Sequence, residues 1–330
     1  MEPLLEAPFF IAISMQPLIL GIHHITAISG EPQQNLNFYA GILGLRLVKK
    51  TINFDSPDVY HFYFGDALGR PGTVFTTFPF VGAMRGRKGV GELTYTAFSV
   101  GIDSLDYWES RLKRFGITVS DRLTRFGYSL LRFEDQDGMG IELIANGEDD
   151  REGWTYGGVP LEHSIKGFYG ATLALRNKEL TERLLLDHMN YRFHSQEGNR
   201  YRYGLDGKPG EWVDILVDPN GQRGVQSAGT VHHLAFRTAT TATQLDMQQL
   251  LIQQGYGVTE VRDRNYFLSI YFREPGGVLF EIATDVPGFA IDEDETQLGE
   301  ALKLPDWAEA KRRQIEAALK PVTFNPENYV

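Results

Sequence analysis

The chain has 330 residues, 42% of them hydrophobic, and its 43 acidic and 32 basic side chains give a formal net charge of −11. That length supplies a substantial core and suggests about two domains of ordinary size, while the absence of a basic run or arginine stripe argues against a nucleic-acid partner. Cysteine is absent, which removes disulfides, thiolate nucleophiles and cysteine-held zinc or iron–sulfur centres; any metal must be bound by His, Asp, Glu or backbone oxygen.

Residues 1–17 are apolar but carry Glu2 and Glu6 where a leader would be basic, and their apolar runs are too short to span a bilayer. Organised patterning begins only after Met15, which could itself be a start codon. The reading is an ill-defined extension on a cytoplasmic protein with no membrane contact.

A repeating unit then dominates the chain. In unit one (18–80), IHHITAIS is extended, a helical stretch with Leu36, Tyr39 and Leu43 on one face ends at Gly44, and strand-like LRLVKKT, VYHFYFGD and TVFTTFPF follow. Unit two (90–147) opens with TYTAFSV, continues through Ser104 as an N-cap to a helix with Leu105, Trp108, Leu112 and Phe115 closed by Gly116, and ends with ITVSDR, YSLLRFED and GIELIAN. A linker at 148–167 breaks the rhythm. Unit three (168–220) runs YGATLAL, a helix around Leu180 and Leu184, YRFHSQ, YRYGLD and WVDILVDP. Unit four (229–285) runs VHHLAFRT, a helix around Leu245 and Ile252 stopped by Gly255, then GVTEV, YFLSIYF and VLFEIAT. Residues 286–330 read as a C-terminal helical strap, with a helix near Trp307 to Leu319.

Each unit has the order βαβββ. One such unit leaves a curved sheet with a bare apolar face and unpaired edges. Two side by side make a cup, so the expected fold is α+β, with four βαβββ modules forming two cup-shaped pseudo-barrels.

Equivalent positions across the units locate candidate ligands. The second His of the opening strand is His24 in unit one and His233 in unit four, against Tyr95 and Gly170 in units two and three. On the closing strand the carboxylate position holds Glu281 in unit four, Glu142 in unit two, Thr76 in unit one and Leu216 in unit three. Pairing units one with two and three with four would leave two incomplete sites. Pairing unit one with unit four instead collects His24, His233 and Glu281 in one cup, with Thr76 at its fourth corner. Three such ligands on one face leave positions open for substrate and O2, the arrangement typical of non-haem iron(II) oxygenases. His61, His163, His188 and His194 read as ordinary core or surface histidines, and Glu142 as part of a strand with one solvent face. Neighbours on a strand point to opposite sides, so one member of each His pair can enter the cup.

The motifs GIHHITAI, TVHHLAF and REPGGVLFEIATD, with WTYGGVPLEHSIKG in the linker, resemble those of the vicinal oxygen chelate superfamily of glyoxalases, fosfomycin-resistance proteins and extradiol dioxygenases. The likeness is greatest to its hydroquinone-cleaving dioxygenases and covers nearly the whole chain from Ile19. It implies Fe(2+) held by His24, His233 and Glu281 in a cup shared by units one and four. It further implies that His23, Thr26, His232, Arg264 and Tyr271 occupy the surrounding catalytic positions. The residues themselves support these five unevenly. Thr26, two residues from His24, faces the same side and could touch substrate. Tyr271 lies opposite Glu281 if the loop Pro275 to Gly277 has three residues, and turns away if it has two. His23 and His232 point away from the metal by alternation unless a bulge intervenes.

The function so implied is an iron(II)-dependent ring-cleaving dioxygenase that inserts both atoms of O2 into a small aromatic of the hydroquinone type, catechol not being separable on first principles. A glyoxalase-like metal-dependent isomerase or lyase is the alternative, opposed by Thr76 at a corner where that chemistry commonly has a carboxylate base. A metal-free binding protein of the same fold would need no triad. Phe75, Phe267 and Phe280 could line a pocket, although core packing is the commoner fate of strand aromatics. A homo-oligomer is compatible with the sequence but not specified by it.

Overall fold

The computed structural model describes residues 17–330, so the expected extension, Pro17 apart, and the alternative start at Met15 lie outside the described residues. Unit one contains β1 (Ile22–Ser29), α1 (Pro32–Leu36), β2 (Arg46–Asn53), β3 (Ser56–Gly65) and β4 (Val74–Pro79). Unit two contains β5 (Glu92–Val100), α2 (Leu105–Arg114), β6 (Leu123–Arg125), β7 (Tyr128–Glu134) and β8 (Gly140–Ala145). Unit three contains β9 (Gly167–Leu175), α3 (Glu179–His188), β10 (Arg192–Glu197), β11 (Arg200–Gly204) and β12 (Trp212–Val217). Unit four contains β13 (Thr230–Thr238), α4 (Thr241–Gln253), β14 (Arg262–Asp263), β15 (Phe267–Arg273) and β16 (Leu279–Pro287).

These strands form two eight-stranded sheets, ordered β14-β15-β16-β13-β1-β4-β3-β2 and β10-β11-β12-β9-β5-β8-β7-β6. Unit one therefore shares a cup with unit four, and unit two with unit three, as the ligand arithmetic requires. At each seam the two opening strands pair antiparallel, β1 with β13 and β5 with β9. The β1–β13 ladder places His24 opposite Ala235 and Thr26 opposite His233, and it shifts register on both sides of that stretch. His23 and His232 are the residues passed over, each the extra residue of a bulge. The β5–β9 seam repeats both shifts, passing over Thr94 and Tyr169. Simple alternation thus fails at the histidine pairs, because a bulge turns one extra side chain out of phase.

Local structure departs from the sequence reading in instructive places. The first helix continues beyond α1 as a wider π-helical stretch, Asn37–Ile42, and buries Leu36, Phe38 and Tyr39 before Gly44 reverses the chain at φ 68°. Ser104 precedes α2 but does not cap it. Its hydroxyl instead donates to Glu162 O at 3.1 Å and lies 3.0 Å from His163 Nδ1, tying the linker to unit two. In α4 the expected Leu245 and Ile252 are exposed, while Gln244, Met247 and Leu251 are buried. Gln244 Nε2 donates to Leu268 O and Ile282 O at 2.7 Å each, so a polar residue fastens this helix to β15 and β16. Of ITVSDR and GVTEV, neither is a named strand; only β6 and the two-residue β14, just beyond them, are extended.

The two cups are stitched together by Arg111 of α2, whose guanidinium donates to Gly41 O, Ile42 O and Gly158 O. The expected C-terminal helix is divided into α5 (Asp306–Glu309) and α6 (Arg312–Ala318), which send Ala308 and Ile315 into the core, joined by Leu319 just past α6.

Candidate metal centre and its cavity

Strand pairing fixes the candidate ligands. Glu281 of β16 stands beside Ala235 of β13, two residues on from His233, and β13 is in turn paired to β1, which carries His24. The ligand atoms of His24, His233 and Glu281 all lie within 4.8 Å of one another, and all three side chains are buried. His24 Nε2 is 3.1 Å from His233 Nε2, and Glu281 Oε2 is 2.9 Å from His233 Nε2 and 3.4 Å from His24 Nε2. Ser269 of β15 donates its hydroxyl to the other carboxylate oxygen, Oε1. Oε2 has no aligned hydrogen-bond donor although it is fully buried. A buried carboxylate oxygen without a donor is costly, and here it faces two imidazole nitrogens that converge on the same point. A divalent cation satisfies all three atoms at once, so the residues fit a metal.

The bulges add a further condition for metal binding. His23 Nδ1 lies 2.9 Å from His24 Nδ1, and His232 Nδ1 lies 2.8 Å from His233 Nδ1. One nitrogen of each couple must carry the proton. With it on His24 and His233, their Nε2 atoms keep the lone pair that a metal requires, the tautomer-setting role of an outer hydrogen-bond partner. Burial holds His23 and His61 well below the ordinary histidine value and lowers His232 to about 3, so these rings are neutral. Burial also lowers His233, outweighing the upward pull of Glu281. For Glu281 burial opposes ionisation, but His24 and His233 overcome it and hold the carboxyl well below the usual range.

A cavity of about 350 Å³ opens above the triad, within the size range of small-molecule sites. Apolar Ile28, Phe54, Phe78, Phe80 and Phe267 line it, together with His24, His61, His233, Arg264, Tyr271 and Gln226. Glu274 N donates to Val278 O, which makes Pro275–Gly277 a three-residue loop, and Tyr271 pairs directly across from Glu281. Burial pushes the Tyr271 phenol upward, Glu281 adds to this, and Arg264 opposes it. Arg264 Nε donates to the Tyr271 hydroxyl at 3.2 Å. The turn after β14, with Asn265 at φ 67°, folds Arg264 back over the cavity.

Three expectations change here. Thr26 does not line the cavity: fully buried, it bonds Thr76 Oγ1 at 2.7 Å, and His61 Nε2 reaches the same Thr76 oxygen at 2.9 Å. His61 is consequently a cavity residue rather than an ordinary core or surface histidine. Its signal was its place on β3, paired next to β4, the strand that holds Thr76. Ser269 was also missed, although its position two residues before Tyr271 puts it on the same strand face. Of the three phenylalanines, Phe267 lines the cavity, while Phe75 and Phe280 are buried in the core.

The second cup corrects two more. Glu142 stands beside Ala97 and Asp214 beside Thr172, each two residues beyond the position of the second His, as Ala235 is for Glu281. The carboxylate position of unit three is therefore Asp214, not Leu216. Glu142 has no solvent face: it is fully buried and bonded by Arg125 at 2.5 and 2.8 Å and by Arg132 at 2.8 and 3.0 Å. Asp214 is bonded by Arg200 and Arg202.

Comparison with known proteins agrees with this architecture. The family profile described as Glyoxalase/Bleomycin resistance protein/Dioxygenase superfamily matches residues 21–143 and 165–282, and the chain belongs to that superfamily. It is 47% identical over 302 residues to MhqO of Bacillus subtilis (strain 168), provisionally named a ring-cleaving dioxygenase, covering 92% of this chain and 96% of MhqO. It is 36% identical over 307 residues to the chlorohydroquinone/hydroquinone 1,2-dioxygenase of Sphingobium indicum, covering 89% of this chain and 94% of that one. The crystal structure of a provisionally named dioxygenase from Bacillus subtilis superposes with a TM-score of 0.90 at 46% identity, covering 93% of this chain and 98% of the other. Glyoxalase I from Zea mays, at 12% identity and a TM-score of 0.61 over 80% of this chain and 92% of its own, shares the fold. Among the described residues no helix is long and apolar enough to cross a membrane.

Proposed function

We propose that this chain is an iron(II)-dependent ring-cleaving dioxygenase whose substrate is a small aromatic of the hydroquinone class. The observation that carries the proposal is the buried convergence of His24, His233 and the unpartnered Oε2 of Glu281 at the floor of an aromatic-lined cavity. Its support in kinship is the 36% identity to a chlorohydroquinone/hydroquinone 1,2-dioxygenase. Iron(II) held by the triad would supply the electron exchange with O2 that ring oxidation needs and that zinc, as a Lewis acid alone, does not.

The remaining chemistry falls to the chain. A hydroquinone cannot chelate through two neighbouring oxygens, so its orientation and deprotonation depend on groups around the triad. Tyr271 and Arg264 form a donor pair on the cavity wall, placed to stabilise negative charge as the ring hydroxyl loses its proton. His61, neutral and hydrogen-bonded to Thr76, offers a base on the opposite side. Phe54, Phe78, Phe80 and Phe267 pack against the ring and limit water. His23 and His232 set the ligand tautomers, and Thr26 positions His61 through Thr76.

The test is oxygen uptake by anaerobically iron(II)-loaded protein, with methylhydroquinone and catechol in parallel and ring-opened product measured alongside. Uptake with ring opening on the hydroquinone is the expected result. Uptake on catechol alone would overturn the substrate class, and no uptake on either would overturn the dioxygenase reading.

A further inference from the structure

Among the polar side chains of the cavity wall without a role so far, Gln226 is held by the most specific contacts. Gln226 lies between β12 and β13 and lines the main cavity as well as a neighbouring one of about 310 Å³. Its Nε2 is 3.1 Å from Val231 O and 3.1 Å from His232 O. Only an amide NH2 can meet two carbonyl oxygens, so the partners fix which way the amide points, and they engage both of its N–H bonds. Among the described residues, no protein group donates to Oε1. Gln226 is itself exposed, so at the open side of the cavity it offers a carbonyl acceptor that is held in place by backbone but unused by protein.

Other polar groups share the wall but discriminate less. Arg264 is a donor with no acceptor atom, the Ser56, Tyr63 and Tyr271 hydroxyls donate as well as accept and so tolerate an ether, Asn53 Oδ1 already accepts from Asp55 N at 2.9 Å, and the Asp55 carboxylate lies 3.9 Å from Arg264 Nη2. A ring with a second hydroxyl brings a proton that needs an acceptor, whereas a ring ether brings none and would set its oxygen against a carbonyl. We infer that Gln226 Oε1 accepts the hydrogen bond of the ring hydroxyl remote from the metal, making Gln226 the residue that selects a 1,4-dihydroxy ring over a singly hydroxylated one. The inference rests on the proposed function for its substrate class, and recognition can be measured without chemistry.

Hydroquinone and 4-methoxyphenol are titrated calorimetrically, without O2, into iron(II)-loaded wild type, Gln226→Leu and Gln226→Met, with the melting temperature of each protein recorded. The wild type is expected to bind hydroquinone roughly tenfold more tightly, the value of about one neutral hydrogen bond. In the variants this preference collapses towards one, because hydroquinone weakens while 4-methoxyphenol stays within about twofold. A wild type without preference overturns the inference whatever the variants do. So does a preference that survives in a folded variant, or an equal weakening of both ligands, which would mark Gln226 as a mere support for His232. Wild-type preference without ring opening under O2 would sink the proposed function and leave this inference standing.

Discussion

The two cups share a topology, a bulged seam and a carboxylate at the same closing-strand position, yet they solve the same electrostatic problem in opposite ways. In the second cup Glu142 meets Arg125 and Arg132, and Asp214 meets Arg200 and Arg202. The positive charge is covalently part of the fold, so that cup is complete without a ligand. In the first cup Glu281 faces the imidazoles of His24 and His233 and keeps one oxygen without a donor. There, among the described residues, no arginine answers the carboxylate, and a cation held by all three ligand atoms would. A buried carboxylate is tolerated in either setting only because something compensates it, and the identity of the compensator separates a structural cup from a reactive one.

That contrast is broken most directly at the carboxylates. Glu281→Gln should lose metal affinity by well over about a hundredfold, beyond the 10–100-fold typical of outer partners, while the melting temperature of the metal-free protein stays near that of the wild type. Metal analysis after dialysis and a thermal scan read both. Glu142→Leu should do the reverse, destabilising the fold by about 3 kcal/mol because buried Arg125 and half-buried Arg132 are left without their anion. Metal stoichiometry should be retained at a temperature where the variant is folded. If Glu142→Leu loses metal instead, the two cups are not the independent solutions described above.

Smaller changes sharpen the reactive cup. Tyr271→Phe should lower turnover on the order of a hundredfold, the lower range for a positioned proton donor or acceptor, with iron content unchanged. Equal turnover would remove Tyr271 from the chemistry. His232→Ala should weaken metal binding by roughly tenfold to a hundredfold without touching the metal itself, through the tautomer of His233. An unchanged affinity would show that the Nδ1–Nδ1 contact has no bearing on the ligand.

The repeat, the cup pairing and the convergence of the triad were legible in the sequence because they depend on counting equivalent positions in four copies. What escaped is what depends on phase and on long-range partners. The placing of His23 and His232 stayed open because it turns on a bulge, which inserts one residue into a ladder whose alternation is otherwise strict. Asp214 was misplaced by two residues because the closing strand of unit three carries no outward sign of its register. His61 and Ser269 act through groups distant in the chain, Thr76 and Glu281, and their strand positions point to those partners only once the pairing of β3 with β4 and of β15 with β16 is known. Gln244 was invisible for a related reason: a glutamine on the inner face of a helix reads as solvent-exposed unless the carbonyls it bonds are known.

Between the cups stands a fourth carboxylate with neither solution. Glu92 opens β5 and lines the cavity that also holds His232 and Arg273. Its Oε2 is buried with no partner, and burial raises its pKa to about 7, Arg87 opposing. A carboxyl whose folded value exceeds its unfolded one binds more protons when folded, so it costs stability as pH rises from about 4.5, the cost levelling off above about 7. Glu92→Gln removes this titration. The variant and wild type should melt together near pH 4.5, and the variant should melt about one degree higher at pH 8, the size of an effect of about 1 kcal/mol or less on a partly exposed group in a chain of 330 residues. Equal melting temperatures at both pH values would mean that Glu92 is solvated after all. A lower melting temperature at pH 8 would mean that Arg87 compensates Glu92 as Arg125 compensates Glu142, and Glu92 would then belong with the structural cup.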